Sequence, residues 1–412
     1  MMSPDNSSPD TLERSGGFTL QMLLFIIVRT LLNTAVRMVY PYLGVFQRGL
    51  GVDLRQFSLG ISLRSASGIF GPFLAVVGDR YGRRSGMLLG VGMFTLGLSL
   101  VVIWPTFPAF LAMMVLTNLG NFVFLPSMQA YIGDRVPYER RGSVLAFTEF
   151  SWSFSFIFGI PLVGLVIRLF GWQAPFPFLA LLGILALAGL YSLMPGETAD
   201  EKKGSDLRHN LRMVFTKPRA LAGLAMAMAC SAANEMISVT FGVWLEDAFQ
   251  VQIAALAVSA FIIGASELSG EGLASVLVDR LGKMTSFRIG LALNTLAVLA
   301  LPFLGVELRG ALAGLFLLFL TFEFCIVSII PLMTEMLPAS RATYMGAFIA
   351  SIAIGRALTD LVALPIYFSG RDSQLANGVL AVALASAGIN LVSFLASRMV
   401  KIESQAIKAT TP

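Results

Sequence analysis

Charge is the first thing this sequence is short of. Charged residues are 13% of 412, about half the ~25% of a soluble domain. So few could not cover a water-facing surface of this size. Cysteine is nearly absent too. Cys230 and Cys325 both fall in apolar runs, which excludes a disulfide framework and any CxxC site and leaves them as packing residues. His209 is the single histidine and sits in a polar segment. That removes most histidine-based metal and acid–base chemistry. GxGxxG and GKS/T patterns are missing, as is any nucleophile–base pairing. An enzyme is therefore not expected, and neither is a cofactor or a metal.

What the chain has instead is apolar length: 56% of it is hydrophobic. Twelve runs stand out, near 19–46, 57–78, 86–104, 108–131, 143–168, 174–194, 219–245, 253–277, 286–305, 310–336, 343–368 and 376–397. A bilayer core of ~30 Å needs ~20 helical residues, and every run reaches that length. A transmembrane barrel would alternate in segments of about 10 residues, which these do not. The spacing predicts an all-α integral membrane protein of twelve spans. The first run is also too long for a signal peptide and has no small-residue cleavage site.

Basic residues set the orientation. With the N-terminus in the cytoplasm, twenty of the 29 basic residues lie on the cytoplasmic side and five on the other. Both termini are thus expected to be cytoplasmic. The net charge of +5 is then read by anionic headgroups and not by nucleic acid.

The polar segment 195–218 splits the chain into six runs and six. The expected organisation is a tail (1–18), a bundle (19–194), a linker (195–218), a second bundle (219–397) and a tail (398–412). The halves share sequence. Asp79-Arg80-Tyr81-Gly82-Arg83 follows run two, and Asp279-Arg280-Leu281-Gly282-Lys283 follows run eight, 200 positions later. Pro137, Arg140, Ala146 and Phe147 recur as Pro338, Arg341, Ala347 and Phe348, 201 positions later. Two parallel halves of six helices form a transporter plan, with a site at their interface.

These residues resemble the major facilitator superfamily of secondary transporters. Its G-x-x-x-D-R-x-G-R-R/K loop reads here Ala75-Val76-Val77-Gly78-Asp79-Arg80-Tyr81-Gly82-Arg83-Arg84, with Ala75 and Ser275 in place of the first glycine. The resemblance implies two pseudo-symmetric six-helix bundles. It also implies a cytoplasmic gate made of Asp79, Arg80, Gly82, Arg83, Arg84, Arg140 and Arg141, with Asp279, Arg280, Gly282, Lys283 and Arg341 in the second copy. Run five carries Gly159-Ile160-Pro161-Leu162-Val163-Gly164. This is similar to the G-P-x-x-G motif of the family's drug:proton antiporters, with Ile160 inserted. The alternative for Gly159, Pro161 and Gly164 is generic tight packing. Tyr40-Pro41-Tyr42-Leu43 partly matches the P-x-x-P ending of such exporters.

Ten charged residues lie inside the runs, more than three positions from an end: Arg29, Arg37, Arg64, Glu149, Glu235, Glu267, Glu271, Glu323, Arg356 and Asp360. Each costs roughly 2.5–3.5 kcal/mol at the bilayer centre. They must face a wet cavity or one another. Away from their ends, runs three, six, nine and twelve have none, as the outer helices of the family should. Arg29, Asn33 and Arg37 recur every four residues and form one polar stripe. The first half is basic and the second acidic. Glu267 and Glu271 share a helix face, as do Arg356 and Asp360, which read as a mutually neutralising pair.

The expected function is alternating-access transport of a small organic or amphiphilic molecule, with proton-coupled efflux the leading reading. Glu267 is the first choice as proton carrier, with an arginine of the first half, such as Arg29, displacing the proton. An anion-selective importer with Arg29, Arg37 and Arg64 as a clamp is the alternative, and a lipid flippase another. The expected partners are the small-molecule substrate, protons and the bilayer. The expected form is a monomer, in a bacterial inner or plasma membrane.

Overall fold

The protein is described by a computed structural model covering residues 16–71, 73–74, 81–136, 138–195, 207–337, 341–373 and 378–400. At residues 16, 138–143, 145–146, 207–211 and 341–342 it describes the backbone alone. Every span is helical. The first consists of α1 (Gly16–Arg37), a break, and α2 (Leu43–Leu50). The second is α3 (Leu54–Ser67), continued by a 3-10 turn at Gly68–Phe70. Then come α4 (Arg83–Ile103) and α5 (Phe107–Arg135). The fifth span joins α6 (Tyr138–Phe154), a π turn (Ser155–Gly159) and α7 (Ile160–Phe170). The sixth is α8 (Pro175–Leu193), followed in the linker by α9 (Leu207–Thr216). The second half holds α10 (Pro218–Phe249), α11 (Ile253–Leu281), α12 (Lys283–Leu304), α13 (Leu308–Met336), α14 (Arg341–Asp372) and α15 (Gly378–Met399).

Eleven helices among the described residues are long and apolar enough to cross a membrane. The predicted second span is the one not counted, because residues 75–80 fall outside the described set. The predicted runs otherwise locate the spans. The error lies in their ends: α10 and α14 are longer than predicted, at 32 residues each.

The break in the first span follows from its sequence. A residue before proline is pushed out of the helical region, and proline itself has no N–H to donate. Tyr40-Pro41 therefore ends α1, and Leu43 starts a new helix at mid-depth. Gly242 of α10 admits this break: a Cβ there would lie 2.5 Å from the Tyr40 carbonyl oxygen.

The repeat seen in the sequence is also a repeat of geometry. Gly82 and Gly282 both adopt positive φ, at 92° and 85°, and both start the next helix. Glycine does this without the Cβ clash that other residues meet. Arg83 pairs with Asp134 at 3.2 Å, and Lys283, 200 positions on, pairs with Glu335, 201 positions on.

Within the first half α4 packs on α5 and α8, and α1 on α5, α6 and α8. Within the second, α10 packs on α14 and α15, and α13 on α11 and α12. Between the halves α3 packs on α14, α6 and α7 on α11, and α2 on α10. Outward faces carry large apolar side chains such as Leu185 on α8, Leu296 and Phe303 on α12, and Leu395 on α15, all exposed. Lipid is the medium such a surface fits.

Candidate transport site

Polar side chains from both bundles meet at mid-depth, where α1, α3, the fifth span, α10, α11 and α14 converge. Arg37 ends α1 and is 5% exposed. It pairs with Glu267 of α11, across the interface between the halves. It also donates to the Trp152 carbonyl at 2.9 Å and the Ser155 hydroxyl at 3.3 Å. Its guanidinium lies 4.1 Å from the centre of the Trp152 ring and 3.8 Å from that of Phe156. Trp152 at the end of α6, with Ser155 and Phe156 of the π turn, supplies this seat.

A second network stands beside it. Tyr40, delivered by the break, donates to Glu235 of α10 at 2.6 Å. Arg64 of α3 donates to the Tyr40 oxygen at 2.7 Å and to the Val36 carbonyl at 2.9 Å. Glu235 lies 4.0 Å from Arg64 and 3.5 Å from Arg356 of α14. Arg356 further donates to Ser231 at 3.1 Å. Both networks tie one bundle to the other.

Several assignments from spacing are corrected here. Arg356 and Asp360 share a helix face, but Arg356 pairs with Glu235 and not with Asp360. The facing helix α10 places a carboxylate closer to the guanidinium than its own helix does. Asp360 is fully buried and faces Glu235, Arg64 and Ser65. The arginine at Glu267 is Arg37, one turn beyond Asn33 and two turns beyond Arg29 on the same stripe. Arg29 stays within its own half, pairing with Glu149 at 2.5 Å and donating to the Thr148 carbonyl at 2.9 Å. Asn33 accepts from Asn121 at 3.3 Å.

The remaining acids gather on α11 and α13. Glu271 accepts from Ser153 of α6 at 3.1 Å. Glu323 is buried, and no ion pair reaches it among the described residues. A Cβ on Gly270 would lie 2.9 Å from that of Glu323, so Glu323 descends onto the α11 face that carries Glu267 and Glu271. The second oxygens of Glu267 and Glu271 have no hydrogen-bond partner among the described residues.

The fifth-span motif has a defined place in the packing. A Cβ on Gly159 would strike Thr34 of α1, and one on Gly164 would strike the Tyr42 hydroxyl. Tyr42 donates to the Ile160 carbonyl at 2.9 Å, beside Pro161. Both glycines therefore seat the broken first span. At the loop end, Arg84 donates to the Tyr191 carbonyl at 2.6 Å. Asp279 and Arg280 close α11 and are exposed. Asp79 and Arg80 lie outside the described residues, as do the side chains of Arg140, Arg141 and Arg341.

Sequence reasoning missed Tyr40, Trp152, Phe156 and Ser155. The signal for Tyr40 was the proline after it. The other three carry no charge, and nothing in their spacing separates them from packing residues.

Two six-helix bundles with a charged layer shared between them follow the plan of a membrane transporter. Residues 23–359 match the Major Facilitator Superfamily, and the chain belongs to that family. It is 24% identical over 362 residues to the uncharacterised MFS-type transporter YwfA of Bacillus subtilis, covering 87% of this chain and 86% of that one. It is also 24% identical over 275 residues to the inner membrane transport protein YdhP of Escherichia coli, covering 65% and 68%. Its fold matches a bacterial homologue of the human lysosomal transporter Spinster, solved inward-facing and unoccupied, with a TM-score of 0.76 and 15% identity over 94% and 98% of the two chains. The human organic anion transporter MFSD10 matches with a TM-score of 0.67 and 18% identity, over 92% and 98%. Members of the family are transporters and not enzymes.

Proposed function

We propose that the chain exports a small organic or amphiphilic molecule in exchange for protons. The observation that carries this reading is the Arg37–Glu267 pair. It joins a cation of one bundle to a titratable carboxylate of the other, at mid-depth, with both groups buried. Parting the bundles must break the pair. A lone buried carboxylate is costly, so Glu267 takes up a proton or a cation as Arg37 leaves. Proton uptake is thereby linked to the conformational cycle. Outward direction rests on the resemblance of Gly159, Pro161 and Gly164 to the antiporter motif.

The anion-clamp reading is weakened by the same geometry. Arg29, Arg37 and Arg64 are all engaged by carboxylates, carbonyls or Tyr40, so no basic trio is presented to an anion.

The reading places both termini, the 195–218 linker and the tails 1–18 and 398–412 in the cytoplasm of a bacterium, with bundles 19–194 and 219–397 acting as a monomer. Asp79 and Asp279 with their neighbouring basic residues then form the cytoplasmic gate. The test is reconstitution in proteoliposomes with an imposed pH gradient, over lipophilic cations, sugars, carboxylates and lysolipids. Gradient-driven accumulation of one class supports the proposal. Downhill flux of every substrate, indifferent to the gradient, removes the proton from it.

A further inference from the structure

The segment between the bundles contains a helix with no part in the charged layer. α9 (Leu207–Thr216) lies against the starts of α10 and α14. Val214 fixes it there. It is fully buried in a core cluster with Ala220 of α10, Tyr344 of α14, and Ala396 and Val400 at the end of α15. Arg212 and Phe215, three residues apart, share a helix face, and that face is exposed. Phe215 is a large apolar side chain and is 58% exposed. Lys217 follows it and is exposed as well.

The end of α15 reaches the same corner. Ser386 donates to the Ala233 carbonyl and Ser393 to the Met226 carbonyl, each at 2.8 Å. Seven residues forward along α15 therefore match seven back along α10, as in an antiparallel pair. The same step again sets Val400 level with Arg219, and Arg398 level with Leu221. Arg398, Met399 and Leu221 are all exposed. The Arg398 guanidinium lies 5.3 Å from the centre of the Phe394 ring. No ion pair reaches Arg212, Lys217 or Arg398 among the described residues. The helix ends that meet here also carry no acid. The first in α10 is Glu235 and the first in α14 is Asp360, both in the charged layer, while α9 and α15 have none. Elsewhere at this end of the second bundle, Glu335 is taken by Lys283 and Asp279 closes α11.

Exposed cations beside exposed apolar side chains fit neither water nor hydrocarbon alone. They fit the boundary between the two, where lipid phosphates meet acyl chains. The orientation proposed above puts this corner at the cytoplasmic leaflet, whose anionic lipids attract basic segments. Cations that only set topology need no apolar neighbours and no common corner. We infer that α9, with the adjoining ends of α10 and α15, binds an anionic phospholipid. Arg212, Lys217 and Arg398 hold its phosphate, and Phe215, Leu221 and Met399 pack on its chains. The segment between the bundles is thereby anchored to the membrane surface at the second bundle. This holds whatever the cargo is and whether or not a proton drives it.

The test is equilibrium binding of phosphatidylglycerol to the purified full chain in neutral detergent micelles. Phosphatidylcholine of the same chains carries no net charge, and glycerol phosphate supplies the anion without the chains. The native chain should bind phosphatidylglycerol about tenfold or more tighter than either comparator. Raising salt from about 0.1 to about 1 M should weaken that binding. Arg212→Ala, Lys217→Ala and Arg398→Ala should each lose about fivefold, and the three together about a hundredfold. Phosphatidylglycerol should raise the melting temperature of the native chain and not that of the triple variant. If the triple variant does not purify as a folded protein, the single variants decide, since all three side chains are exposed. Phe215→Ala should weaken binding several-fold and leave its salt dependence unchanged. Arg135→Ala, at the same end of the first bundle, should leave binding as it is. Equal affinity for the two lipids overturns the inference. So does a loss in Arg135→Ala as large as that in Arg398→Ala, which would reduce the patch to a diffuse charge. Glycerol phosphate binding as tightly as phosphatidylglycerol also overturns it, because the ligand would then be a soluble phosphate and not a lipid.

Discussion

The two networks that join the bundles start three residues apart on the first span, at Arg37 and Tyr40, and differ in how their charges balance. Around Tyr40, two arginines, Arg64 and Arg356, meet two acids, Glu235 and Asp360. Glu235 receives a hydroxyl and faces both guanidinium groups, so each of its oxygens is engaged. Around Arg37, one guanidinium meets Glu267, with Glu271 and Glu323 on the same acidic face. The first arrangement balances in formal charge, with both oxygens of Asp360 lacking a hydrogen-bond partner among the described residues. The second sets three acids against one paired guanidinium and takes that cation from the last residue of α1, next to the break in the first span. A balanced buried network fixes a geometry, whereas an unbalanced one has room for a proton or a cargo.

The comparison breaks most severely at Glu235. Glu235→Ala strands Arg64 and Arg356, a buried and a half-buried cation, and should cost roughly 3–5 kcal/mol. Chemical denaturation in mixed micelles measures this. A loss below ~1 kcal/mol would mean that the network is not what holds the bundles. Tyr40→Phe removes the hydroxyl that donates to Glu235 and accepts from Arg64, at an expected cost of roughly 1.5–3 kcal/mol. It should be additive with changes at Glu267 if the two networks are separate. Strong coupling in a double-mutant cycle would merge them.

Gly264→Ala sharpens the comparison from the packing side. Its Cβ would lie 2.8 Å from the Phe156 Cβ and 2.9 Å from the Ile157 nitrogen, at the seat of Arg37. Overpacking of this kind costs roughly 1–3 kcal/mol. It should impair transport with normal membrane insertion, and native turnover in the variant would show that α11 does not need to close on the π turn. The smallest effect belongs to Arg48→Ala. Arg48 pairs with Glu246, near the C-terminal end of α10, at 2.9 Å, with its side chain 62% exposed. A loss of no more than ~1 kcal/mol is expected.

Much of this was legible in the sequence, for definite reasons. Apolar length and the 200-residue offset revealed the spans and the two halves, because both are long-range regularities. The cost of buried charge marked Arg37, Glu235 and Glu267. Partner choice was not legible. A spacing of four places Arg356 and Asp360 on one face of α14, but it cannot show that α10 brings Glu235 to Arg356. Nor can spacing show that Arg37, and not Arg29, reaches α11. That depends on where the first span breaks, and only Tyr40-Pro41 hinted at it. Trp152 and Phe156 look like any aromatic residues of a membrane helix until the end of α6 and the π turn place them around a guanidinium.

Glu267→Gln tests the central claim most directly. Glutamine has the shape of the protonated acid and still accepts a hydrogen bond from Arg37. It should therefore cost less stability than Glu235→Ala and leave the fold intact. The measurement is transport by the variant in proteoliposomes, as exchange at equal pH and as accumulation under an imposed pH gradient. Exchange should continue, while gradient-driven accumulation and its pH dependence should be lost. Accumulation against a gradient with the native pH dependence would contradict the role given to Glu267 and move the proton to another residue.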